Sequence, residues 1–144
     1  MKSREVKNLK RAIYENYHFE FEQSYVYLIS SKNKIYILSE GVKEIDFSNI
    51  HVINTGLYIG EWRDDGFRCS VEGSQFIGPT AEQNVLEIND EQARKWLKGE
   101  DLEIDSEISG FVIVCSNSDF LGGGKVAQKK LYNYVPKARR VMVD

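Results

Sequence analysis

The segment that most constrains this chain is Gly110-Phe-Val-Ile-Val-Cys-Ser-Asn-Ser-Asp-Phe-Leu-Gly-Gly-Gly-Lys-Val-Ala-Gln-Lys-Lys130. It begins as an apolar run, Phe111 to Cys115, of the strand-forming type that is buried on both faces. Asn117-Ser118 then turns the chain, and Gly122 to Gly124 pass through the returning strand. Glycines there permit positive φ and a close approach of another backbone, whether the chain's own or a ligand's. Beyond the glycines the chain is basic. Lys125, Lys129, Lys130, Lys137, Arg139 and Arg140 are spaced around two short apolar strands, the second of them following Pro136.

Glycines before a lysine also suggest a phosphate loop, and the spacing tests this directly. A Walker A loop needs a glycine five residues before its last glycine, and a Ser or Thr after the lysine to hold magnesium. Here those positions hold Asp119 and Val126, so the nucleotide-loop reading fails.

Charge is unevenly divided along the 144 residues, whose formal net charge is −3. Residues 1–11 carry five basic and one acidic side chain, and residues 109–144 carry six and two, so each end is +4. The remainder, 12–108, carries eight basic against nineteen acidic groups. A local basic patch matters more to a phosphate backbone than the total, so the split points to an anion-binding surface at the C-terminus and, less strongly, on the first helix. Seven Phe, eight Tyr and two Trp supply a real core, and no apolar run approaches a membrane span. Without an apolar signal core near Met1 the expected location is cytoplasmic. Cys69 and Cys115 lie far apart in apparent strands and read as small buried hydrophobes in a reducing compartment. His18 and His51 have no partners at ligand spacing, so neither a metal nor a cofactor is expected.

The expected architecture is α+β: an N-terminal antiparallel sheet with helices over residues 1–80, then a small β-barrel over 81–144. Ser3 caps an amphipathic helix over residues 4–16, with Val6, Leu9, Ile13, Tyr14 and Tyr17 on one face. Tyr25–Ser30 and Lys34–Ser39 form a hairpin, and Glu40-Gly41 opens a helical turn using Val42 and Ile45. A second hairpin joins Leu57–Trp62 to Phe67–Val71 through Asp64-Asp65-Gly66. Gly78-Pro79 marks the domain boundary. Asn84–Ile88 reads as a strand, and Asn89 or Asp90 caps a helix that buries Ala93, Trp96 and Leu97 and stops at Gly99. Tyr132 and Tyr134 alternate in a strand beside Lys129, Lys130 and Lys137, an arrangement suited to stacking on bases.

An apolar strand, a turn, Leu121-Gly-x-Gly124 and an apolar-basic strand resemble the end of a PUA domain, a small β-barrel RNA-binding module. Asn33-Lys-Ile-Tyr-Ile-Leu-Ser-Glu40, Thr55-Gly-Leu-Tyr-Ile-Gly60 and Phe67-Arg-Cys-Ser-Val71 look like the Nip-seven family of ribosome-biogenesis factors. That resemblance implies a non-enzymatic protein of precursor-rRNA processing and large-subunit assembly, of archaeal type. Partners would be ribosomal or precursor RNA and other assembly proteins, with no membrane. Gly110-Phe-Val-Ile-Val, Leu121-Gly-Gly-Gly-Lys and Tyr134-Val-Pro-Lys-Ala-Arg-Arg140 resemble equally the RNA-binding appendage of Sun-family RNA cytosine-5 methyltransferases. Those enzymes use a Cys that follows Pro, and neither proline of this chain precedes a Cys, so the resemblance implies an accessory that presents RNA to a separate enzyme. The expected RNA-binding residues are Lys125, Lys129, Lys130, Tyr134, Lys137, Arg139 and Arg140, with no catalytic residue.

Overall fold

The computed structural model describes residues 1–39 and 56–141. The helical turn expected at Glu40-Gly41 lies outside the described residues. The chain is α+β, and its described residues build two sheets. The first is antiparallel, in the order β1 (Tyr25–Ile29), β2 (Lys34–Ser39), β3 (Leu57–Arg63), β4 (Gly66–Cys69). The second is curled, in the order β5 (Val85–Glu87), β7 (Gly110–Ser116), β8 (Asp119–Ala127), β9 (Lys130–Asn133), β6 (Leu102–Glu103). Strands β5 and β7 pair in parallel; the rest of that sheet is antiparallel.

Helix α1, Ser3–Tyr17, packs on the inner face of the first sheet. Its Leu9, Ile13 and Tyr17 are fully buried against Ile35, Ile37, Ile59 and Phe67. Each such aliphatic side chain contributes ~1.5–3 kcal/mol. The helix starts one residue earlier than the sequence suggests. Lys2 is the N-cap, and the Glu5 carboxylate accepts from its backbone N–H at 3.2 Å, so Ser3 is already helical.

Two further expectations are corrected. The strand expected to run to Val71 ends at Cys69, and Ser70 caps a short helix, α2 (Val71–Ile77), its Oγ accepting from Gly73 N–H at 2.9 Å. The strand expected after Pro136 does not form over Lys137–Arg139. Lys137–Arg139 is a 3-10 turn after Pro136, closed by Arg139 N–H on the Pro136 carbonyl at 2.8 Å. A proline entering a segment with no neighbouring strand favours this local closure over a ladder. Val141 N–H then donates to the Leu97 carbonyl and anchors the segment on α3, Asp90–Leu97.

Helix α3 is capped by Asn89, which accepts from Gln92 N–H while Gln92 returns the bond, and Gly99 follows its end at φ +94°. It drives Trp96, fully buried, under the second sheet, where the indole N–H donates to the Leu121 carbonyl at 3.1 Å. The β7–β8 turn falls at Asn117-Ser118, both at positive φ, and the Gly122–Gly124 run lies within β8. A Cβ on Gly123 would meet the Cys69 carbonyl at 2.4 Å, so the close backbone approach is to the protein's own β4. The two sheets therefore meet along a seam of β4 against β8, and Ile113 belongs to the core under α1. Among the described residues no helix is long and apolar enough to cross a membrane.

Candidate nucleic-acid interface

The structure divides the expected basic patch in two. Lys129 and Lys130 sit at the β8–β9 turn, beside an open groove of about 560 Å³ lined also by Glu103, Asp105 and Gln128. Their ammonium groups reach Asp105 at 3.8 Å and Asp101 at 3.9 Å. Lys125, Tyr134 and Arg139 instead lie along the seam, facing side chains of the first sheet and of α2. Lys125 Nζ donates to Asp65 at 2.7 Å, Arg139 pairs with Glu72, and the Arg68 guanidinium lies 4.0 Å from the Tyr134 ring centre.

Arg140 plays a different part from the one expected. It is half-buried, packs where a Cβ on Gly99 would stand, and its Nε donates to the Val135 carbonyl at 3.0 Å. Its Nε is thereby engaged in holding the turn. Lys137 is exposed and makes no ion pair among the described residues. Tyr132 and Tyr134 are both exposed, but only Tyr132 is in the strand; Tyr134 lies beyond its end.

Sequence reasoning missed Arg63 and Arg68. They flank the β3–β4 turn, and Glu61 on β3 forms ion pairs with both, at 3.2 and 3.1 Å. The cross-strand register Glu61↔Arg68 explains the second pair, a pairing that emerges only once the hairpin is aligned.

The ionisations follow from these contacts. The hydrogen bond from Lys125, with its charge, holds the Asp65 carboxyl below the usual range and raises Lys125 in return. Burial pushes Glu72 upward, but the Arg139 hydrogen bond, its own backbone N–H and the Arg139 charge outweigh that and leave it lowered. Burial pushes the Tyr58 hydroxyl up to about 12; Glu61 adds to the rise, Arg68 opposes it, and Tyr36 and Glu72 add further. Tyr58 is thus within the electrostatic reach of both the Arg68–Tyr134 stack and the Glu72–Arg139 pair. At neutral pH the seam carries carboxylates seated on its cations.

The class this geometry defines is a sheet-based, cation-lined module, and comparison with known families agrees. Residues 83–141 match the family described as Methyltransferase RsmF PUA domain. A curated relative, Ribosomal RNA small subunit methyltransferase F of Shewanella oneidensis, is 34% identical over 84 residues, which is 57% of this chain. The chain spans 18% of that relative's length. The similarity thus supports the methyltransferase-appendage side of the two resemblances.

Proposed function

We propose that this protein is a non-enzymatic RNA-binding module that serves ribosomal RNA maturation by presenting RNA to a separate modifying enzyme. The observation that carries this is the match of residues 83–141 to an rRNA methyltransferase's PUA domain, with Lys125, Tyr134 and Arg139 of that stretch arrayed along one seam. Neither proline of this sequence precedes a Cys, which supports reading these residues as supplying binding rather than methyl transfer. The broader role in ribosome biogenesis, including precursor-rRNA processing, is compatible with the same surface. The Nip-seven resemblance would direct it to the large subunit, whereas the relative's name refers to the small subunit, and the small subunit is the preferred reading.

Arg139 and Lys125 hold phosphates on exchange from Glu72 and Asp65. Exposed ion pairs are worth ~0–1 kcal/mol, so a phosphate can displace a carboxylate at small cost. Arg139 presents two parallel N–H donors to phosphate and should outrank Lys125.

The test is binding of structured RNA to the full chain across a salt series. Affinity should fall steeply, with a log–log slope of roughly −0.7 to −0.9 per phosphate neutralised. Arg139→Ala should weaken binding by ~1–3 kcal/mol while the melting temperature stays near wild type. A control with Lys7, Lys10 and Arg11 changed to Ala should bind normally. Loss in that control and none in Arg139→Ala would move the site to α1. Binding that ignores salt would remove the electrostatic account.

A further inference from the structure

The seam takes up only the Arg68 end of the first sheet's outward face. Along β2 the side chains Ile35 and Ile37 turn inward to α1, as do Ile59 on β3 and Phe67 on β4. The alternate residues Tyr36, Tyr58 and Arg68 therefore face outward. Tyr36 and Tyr58 are cross-strand partners in register, with ring centres 5.4 Å apart and planes tilted by 38°. Lys34 places its ammonium 5.5 Å from the Tyr58 ring centre. Arg68, next along the sheet, covers Tyr134. In register across the strands Glu61 stands between Lys34 and Arg68, so the rings are flanked by two cations that share one carboxylate neighbour.

Resting on the RNA-binding function proposed for the seam, we propose that this face is a stacking platform for unpaired bases of the same RNA whose phosphates Lys125 and Arg139 hold. Base–aromatic stacking tolerates any sequence because every base has a π-face, and lysine or arginine beside the ring meets the phosphate that the stacked nucleotide carries. An apolar protein helix would meet the rings but would desolvate the Lys34 ammonium and the Arg68–Glu61 pair. RNA satisfies rings and cations together, and this decides the occupant. Strands lie ~4.8 Å apart, so rings on β2, on β3 and beyond β4 are stepped across ~10–15 Å, room for about two or three nucleotides. The platform would therefore read single-stranded character, while the seam reads charge.

The experiment compares the full chain with a Tyr36→Leu/Tyr58→Leu variant by fluorescence anisotropy. One probe is labelled decauridine and the other is an RNA duplex of matched length. Leucine keeps the packing area and removes the π-face. The expected result is a ~10-fold loss of decauridine affinity, with duplex affinity and the salt slope unchanged. Unchanged decauridine affinity, or equal loss on both probes, would overturn the platform. Wild type that binds duplex but not decauridine would overturn it too, leaving the seam reading intact; wild type that binds neither would overturn both. Should the double variant fail to fold, photocrosslinking of wild type to thiouridine-substituted decauridine decides the matter. Crosslinks on the Tyr36 or Tyr58 peptides support the platform, and crosslinks confined to residues beyond Lys125 overturn it.

Discussion

Tyr17 and Tyr27 carry the same hydroxyl into the same core and meet opposite fates. Tyr17 donates to the Phe67 carbonyl, which locks α1 onto β4. Tyr27 is 4% exposed and its hydroxyl has no hydrogen-bond partner among the described residues. A made bond and an unmade one differ in sign, because an unsatisfied buried group retains its full desolvation cost. Tyr17→Phe should therefore destabilise the protein by ~1–3 kcal/mol, and Tyr27→Phe should be neutral or stabilising by up to ~1 kcal/mol. Urea midpoints at constant slope would read the pair; equal losses would show that the two hydroxyls are equivalent. The cysteines are equally decided by burial. Desolvation raises the Cys69 thiol to about 12, with Tyr17 opposing, and raises Cys115 together with Glu87. Since only the thiolate attacks, a disulfide exchange reagent near pH 8 should find no fast thiol in the native protein and both after unfolding. A rapid native thiol would contradict this.

The elements that were legible in the sequence are those specified by their own residues. The Phe111–Cys115 run, the Asn117-Ser118 turn and the Asn89-capped helix all carry local signals, and they lie where those signals put them. Helix α2 escaped because seven residues are too few to show a helical period, and because Gly73 interrupts them. That glycine is required by tertiary contact: a Cβ would stand 1.8 Å from the Ile59 carbonyl. Gly73→Ala should cost ~3 kcal/mol or more through forced displacement of β3. Gly110 is at φ +90° with none of the described residues within 4 Å of an added Cβ, so Gly110→Ala should cost only ~1–2 kcal/mol of backbone strain. Similar melting temperatures for the two would refute the steric account. The seam was half legible. Its basic residues are in the sequence, but the carboxylates seated on them come from α2 and the β3–β4 turn, and no spacing rule pairs Glu72 with Arg139. Glu72 is lowered in the folded state, so its contribution to stability is present above the ordinary carboxylate range and is lost as pH falls through the folded value. Glu72→Gln should flatten that acid limb of the melting profile and, by freeing Arg139, tighten RNA binding at neutral pH. Weaker RNA binding by Glu72→Gln would mean that the carboxylate positions Arg139 rather than competing for it.

At the scale of the whole molecule, packing runs across the boundary expected at Gly78-Pro79. Ile113 belongs to the core under α1, with Val85 and Phe120 packed against it, although all three follow the boundary in sequence. The Gln83 and Asn84 side chains donate to carbonyls of Glu15 and Asn16, holding the link against the end of α1. Gly123 lies against Cys69, and Gly122 N–H donates to the buried Ser74 Oγ at 3.0 Å. A separated second unit would expose each of these groups. A core of fewer than ~70–80 residues seldom supplies more than ~3–5 kcal/mol, so such a unit has little reserve. Residues 81–144 expressed alone should therefore melt well below the full chain and with a shallower transition. Its RNA binding should also fall, because Arg68 would no longer hold the Tyr134 ring and Tyr36 and Tyr58 would be missing. Adding residues 1–80 in trans should restore part of both if the seam forms without the covalent link. A fragment with the melting temperature and RNA affinity of the whole chain would show that the seam contributes to neither, and that the second sheet is a self-sufficient binding unit.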